Sequence, residues 1–149
     1  MLTEGISAFR ATGAVLSTPW ALISLAETYA QLGQPDECSK CLTEAEQGIE
    51  RTDERCDEAE LHRVRGDSLN TAGDLVTAEQ SYEKALAVAR RQSAKVYELC
   101  ATTSLTRLWR DQGKRTEARD LLAPIYGWFT EGFDTPVLQD AKTLLDELA

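Results

Sequence analysis

The apolar positions of LISLAETYAQLGQPDECSKCLTEAEQGI, residues 22–49, fall into two series with a break between them. Leu22, Leu25, Ala26, Tyr29 and Leu32 recur three or four residues apart, which is the spacing of one helical stripe. Gly33 follows, and glycine adopts the positive φ that ends a helix at least steric cost. Pro35 then suits a first helical turn, while Asp36 and Glu37 set negative charge at the positive end of a second helix. The same break returns at Gly73 and Gly113, with Asp74 and Thr116 as the expected N-caps. Turns this short make the two helices of each pair antiparallel and touching.

The pattern holds in one register of 40 residues. Leu42, Tyr82 and Leu122 form one apolar column, and Ala45, Ala85 and Ile125 another. Phe9, Ile49, Ala89 and Phe129 form a third, and Tyr29, Leu69 and Trp109 a fourth. A repeat of this length is one supersecondary unit that buries its apolar face only by stacking on its neighbours. The chain therefore reads as one all-α domain, an α-solenoid of about eight helices. Its repeats run over 16–55, 56–95 and 96–135, with an incomplete half-repeat at 2–12 and a capping helix at 136–149. In the cap, Val137, Ala141, Leu144, Leu145 and Leu148 lie on one stripe, and Gln139, Asp140, Lys142, Asp146 and Glu147 on the wetted face. Leu2, Ile6 and Phe9 can pack forward, but one flank of that first helix lacks a neighbour. The expectation is that Met1 is an internal boundary of a longer architecture, or that a second copy covers this flank.

Composition agrees with the helical reading, because Ala, Leu, Glu, Gln and Arg are abundant and proline is limited to four residues. The opening MLTEGISAFR carries Glu4 and Arg10 and no apolar signal core, so a soluble, cytoplasmic protein without a membrane partner is expected. A net charge of −9 argues against nucleic acid and anionic membrane as general partners. The charge is uneven: residues 84–119 hold nine Lys or Arg against three acids. That stretch is either a solvated face or a basic patch for an acidic partner, which could be another copy of the chain.

Candidate chemistry is sparse. Cys38 and Cys41 make a C-x-x-C, but Cys56, Cys100 and the single His62 are scattered over other elements, so no metal site and no redox pair is expected. His62 occupies an interior repeat position and reads as a core histidine. No phosphate-binding or dinucleotide-binding glycine loop is present, and no cofactor or catalytic residue is assigned.

The unit AELHRVRGDSLNTAGDLVTAEQSYEKALAVA, residues 59–89, resembles the tetratricopeptide repeat through Gly66, Gly73, Ala78, Tyr82 and Ala85. The other units depart from that pattern. Cys38 and Ile125 replace alanines, Ala26 and Thr106 replace the first-helix glycine, and Leu22, His62 and Thr102 stand where the family has tryptophan. The terminal proline is missing and each unit is about six residues longer than the standard repeat. The stretches EAELHRVRGDSL and ATTSLTRLWRDQGKRTEARDLLAPIYGWFTEGFDTPVLQDAKTLLDEL resemble the C-terminal region of bacterial multidomain regulators. Those proteins carry a nucleotidyl cyclase or DNA-binding domain, then a P-loop ATPase, then such repeats.

The resemblance implies a right-handed stack whose first helices line a concave groove. The implied groove positions are Trp20, Ile23, Glu27, Ala30 and Gln31 from the first unit. The second contributes Glu60, Arg63, Asp67, Asn70 and Thr71, and the third Cys100, Thr103, Arg107, Arg110 and Asp111. The groove should grade from apolar through acidic to basic. The expected function is a non-catalytic scaffold for a protein or peptide partner, self-association included, within a larger bacterial signalling protein. The alternative is a ligand- or peptide-sensing domain of a nucleotidyl cyclase or ATPase regulator.

Small residues recur five positions after each turn glycine, as Cys38, Ala78 and Ala118. Helices that cross within about 8–10 Å leave no room for a large side chain at the crossing. Ala78→Phe should therefore cost roughly 1–3 kcal/mol of stability, while Lys84→Ala on the same helix changes little. Thermal denaturation of the two variants checks this, and equal melting temperatures would remove the crossing assignment.

Overall fold

The computed structural model describes residues 18–149, and the half-repeat expected at 2–12 lies outside them. Among the described residues there are seven helices and no strand: α1 Thr18–Gln31, α2 Pro35–Thr52, α3 Glu58–Thr71, α4 Leu75–Arg91, α5 Lys95–Asp111, α6 Arg115–Trp128 and α7 Pro136–Leu148. Each helix packs on the next, so α1–α2, α3–α4 and α5–α6 form hairpins. In addition α1 touches α3, α3 touches α5 and α5 touches α7, whereas α2, α4 and α6 do not touch one another. Close spacing on one side and separation on the other bends the stack, with the odd-numbered helices on the inside.

The hairpin turns share one hydrogen-bonding scheme. Gly33, Gly73 and Gly113 have φ of 71°, 87° and 82°. Behind Gly73, the Asp74 amide donates to the Leu69 carbonyl at 3.0 Å and the Gly73 amide donates to Asn70 at 3.1 Å. Gln34 to Tyr29 and Lys114 to Trp109 repeat the longer bond, both at 2.9 Å. These bonds satisfy carbonyls that a helix end otherwise strands. Asp74 caps α4 as expected, its carboxylate accepting from the Thr77 amide at 3.3 Å. Thr116 does not cap: α6 begins at Arg115, with Lys114 in the cap position. Leu32 is also corrected, because α1 ends at Gln31 and leaves Leu32 in the turn, 64% exposed.

Cys38, Ala78 and Ala118 are all fully buried, where the two helices of each hairpin meet. Ala45 and Ala85 are equally enclosed, and Leu42, Tyr82 and Leu122 fill the interior beside them. The fourth column, Tyr29, Leu69 and Trp109, is half-buried, and the Trp109 indole donates to Glu79 Oε1 at 3.0 Å. The third column breaks at its last member. Pro124 lies inside α6, the helix stops at Trp128, and Phe129 is extended and half-buried. Proline cannot donate to the residue four before it, so the hydrogen-bond ladder of α6 lacks the bond to the Asp120 carbonyl.

The middle unit is the tightest. A Cβ on Gly66 would stand 2.6 Å from Tyr82 Cε1 and 2.7 Å from its Cδ1, so the ring lies flat against backbone. The units with Leu42 and Leu122 in place of the tyrosine carry Ala26 and Thr106 in place of the glycine. The departures from the glycine pattern are thus compensated within each unit: a ring demands a missing Cβ, and a leucine does not. Helix α5 is the most enclosed element, buried continuously from Ala101 to Thr106. The hydroxyls of Thr102 and Thr106 are buried there and have no hydrogen-bond partner among the described residues.

His62 is a core residue, 4% exposed, with Glu58 Oε1 4.0 Å from its Nε2. Burial, then the cations Lys84 and Arg65, push its pKa down from 6.5 to about 4 against the opposite pull of Glu58 and Glu46. The imidazole is neutral inside the folded protein at neutral pH.

Two outcomes follow from this packing. Gly66→Ala should cost about 1–3 kcal/mol in the presence of Tyr82 and far less in a Tyr82→Leu background. A double-mutant cycle by urea denaturation measures the coupling, and strictly additive costs would show that the two residues do not compensate. For His62, the unfolded chain binds a proton below pH 6.5 that the folded chain refuses until about pH 4. Its contribution is complete above 6.5 and is lost as pH falls through that window, at up to about 1.4 kcal/mol per pH unit. The same titration on His62→Gln should give a shallower slope between pH 6.5 and 4.5, since the carboxylates are common to both.

Candidate functional site

The inner face of the stack brings most of the expected groove residues together, with Arg63 of α3 at the centre. Its Nε donates to Glu60 Oε1 at 2.8 Å and its Nη1 to Asp67 Oδ2 at 2.9 Å. Its Nη2 donates to Glu60 Oε2 and to Glu27 Oε1, both at 2.9 Å. Glu27 lies on α1, so this guanidinium ties the first hairpin to the second. Burial alone would disfavour the charge on Arg63, but the three carboxylates hold its pKa above the ordinary arginine value. Asp67 is raised, chiefly by burial and against the pull of Arg63, and the Tyr82 hydroxyl donates to its Oδ1 at 2.6 Å. The hairpin interior and the groove are therefore joined through one aspartate.

The remaining expected positions divide into accessible and enclosed. Trp20 is 59% exposed, and Gln31, Thr71 and Asp111 face solvent. Asn70 is half-buried. Ile23 and Ala30 are not groove surface: both are sunk in the apolar cluster with Leu22, Leu61 and Val64. Thr103 is also enclosed, and its hydroxyl donates to the Leu99 carbonyl at 2.7 Å. These residues stand where neighbouring inner helices close on one another, so they form the floor.

The polarity gradient is corrected at its basic end. Arg107 Nη2 lies 3.3 Å from Asp140 Oδ2, and Arg110 Nη1 lies 2.6 Å from Glu147 Oε2. Both acids belong to α7, which packs on α5 as a fourth inner helix and neutralises the arginines. All five residues of the wetted face expected of 136–149 are exposed, and two of them, Asp140 and Glu147, also pair with arginines of α5. The repeat register contained this signal, because Asp140 falls 40 residues after Cys100 and Glu147 falls 40 after Arg107. Ser104, which also reaches the groove, carries no such signal.

Between α1, α3, α5 and α7 the inner face dips into a hollow of about 210 Å³ lined by Glu27, Arg63, Cys100, Thr103, Ser104, Arg107, Val137 and Asp140. The Cys100 thiol on its wall is pushed up to about 11, first by burial and then by Glu60, so it is protonated and a poor nucleophile at neutral pH. Cys38 is likewise raised by burial. Among the described residues no group of three or more His, Cys, Asp or Glu side chains is arranged to hold a metal ion. None of the helices among them is long and apolar enough to cross a membrane.

A family model described as the tetratricopeptide repeat matches residues 17–91, just over half of the 149 residues. No curated protein and no solved structure matches the chain. The matched segment spans the first two hairpins, with their glycine turns, the alanine-size crossings and the Gly66–Tyr82 contact, and the chain belongs to the tetratricopeptide-repeat family.

Proposed function

We propose that the chain is a non-catalytic scaffold whose inner face, made by α1, α3, α5 and α7, binds a protein or peptide. Members of the family generally mediate protein–protein contact, and the observation that carries the reading here is the continuity of that face. One row of polar side chains runs from Glu27 through Arg63 to Arg107 and Asp140 without an intervening helix. The ion pairs hold those side chains in fixed positions before any partner arrives, which lowers the ordering cost of binding. Trp20, exposed near the first end of the row, supplies the kind of aromatic anchor that dominates many interfaces.

The wider setting is a regulatory module of a bacterial signalling protein, arranged as a right-handed stack in the cytoplasm. The likeness of residues 58–69 and 101–148 to the C-terminal region of cyclase and ATPase regulators supports it.

A partner captured by the full chain should be lost on Arg107→Glu, which reverses one exposed charge of the inner face. It should be retained on Glu83→Lys, which reverses one exposed charge of α4 on the outer side. Calorimetry with the purified partner makes the comparison quantitative, at a loss of about tenfold or more for the inner variant. Equal binding by the two variants would move the interface off the inner face.

A further inference from the structure

The second helices of the last two hairpins are anchored differently. Helix α4 buries Ala78, Tyr82 and Ala85 and goes on to bury Leu86, Val88 and Ala89. Helix α6 buries the matching Ala118, Leu122 and Ile125, and Ile125 is its last buried residue. Where α4 has its three further enclosed residues, Tyr126 and Phe129 are half-buried and Trp128 is 56% exposed. Residues 124–128 are thus gripped mainly by Ile125, and few buried apolar contacts mean a low cost of local opening.

The backbone is weak over the same residues. Pro124 leaves the Asp120 carbonyl without its helical donor. Gly127 has no steric reason to be glycine: its φ is not positive, and an added Cβ meets nothing within 4 Å. In such a place glycine only weakens the helix relative to alanine. Gly66 differs, since Tyr82 requires it.

Beneath this stretch lies a polar group without a partner. Thr106 occupies the repeat position at which Gly66 meets Tyr82, so it faces Leu122. Antiparallel packing of α5 and α6 then sets Thr102, one turn earlier, against Ile125. The Thr102 hydroxyl is fully buried and makes no hydrogen bond to a described residue. The closed packing carries that desolvation cost, and opening returns the hydroxyl to water. Outside, the holds are light: Lys95 Nζ stands 5.6 Å over the Trp128 ring, and the Tyr126 ring 6.0 Å from Phe133.

We propose that residues 124–128 form a strap that opens as a local unit while the rest of the stack stays folded. Leu121, packed against Ala85, Leu86 and Ala101, holds the first half of α6 in place and sets the hinge at Pro124. Ile125 shares one core cluster with Leu99 of α5 and with Leu138 and Leu144 of α7. Opening therefore bares apolar surface on both of those helices.

The test is native-state hydrogen exchange of the full chain, read amide by amide. Amides 125–128 should be about tenfold or more less protected than 49–52 and 88–91, the last turns of α2 and α4. Gly127→Ala should raise protection at 125–128 about fivefold, and Thr102→Val, which removes the stranded hydroxyl, by about as much. Protection at 49–52 should stay as it was in both variants. Equal protection at the three helix ends would overturn the strap. So would a gain spread evenly over all amides, the mark of global unfolding, or no gain at 125–128 in either variant.

Discussion

Two helices joined by a short turn can rest against each other only where the residues at their crossing are small, and this chain meets that requirement three times. Cys38, Ala78 and Ala118 have no exposed surface, and each stands five residues beyond a glycine of positive φ. From that contact the other features descend. Close hairpins present their first helices side by side, the first helices touch their successors, and the second helices are held apart. A polar inner face is the geometric result. Overfilling one crossing would separate one hairpin and displace the residues lining the groove on either side of it.

The middle unit carries the tightest version of this packing and also the central charge cluster. Gly66 lets the Tyr82 ring lie against α3, which brings the tyrosine hydroxyl to Asp67, and Asp67 in turn holds Arg63. A backbone approach inside the hairpin thus fixes the orientation of a guanidinium on the groove. Because Arg63 is saturated by three carboxylates, it acts as a brace between α1 and α3 rather than as a docking point. The hollow beside it is lined by Glu27, Ser104 and Asp140 among others, and these three lie on three different helices.

Much of the fold was legible because it depends on local features repeated at a fixed interval. Helix stripes, turn glycines and the crossing residues need only the identities of neighbours a few positions away. Errors arose where local cues conflicted with a boundary: Leu32 fits the stripe of α1 but falls past its end, and Phe129 fits its column but follows a helix shortened by Pro124. The family resemblance puts Ile23 and Thr103 on the groove wall, and they lie in its floor, since adjacent inner helices approach closely enough to enclose them. Asp140 and Glu147 continue the repeat columns, yet an end helix read as a cap draws attention to its apolar stripe and away from its acids.

The amino-acid order by itself determined the helical class, the hairpin unit, its interval and the small residues at its crossings, because these follow from backbone conformation and side-chain size at neighbouring positions. Only the tertiary structure decided which charges neutralise which. Glu27 and Arg63 are 36 residues apart, Arg110 and Glu147 are 37 apart, and their pairing depends on the distance between stacked helices. The unsatisfied hydroxyls of Thr102 and Thr106 belong to the same class of fact: whether a threonine in a helix finds a partner depends on what the neighbouring helices place within reach of it.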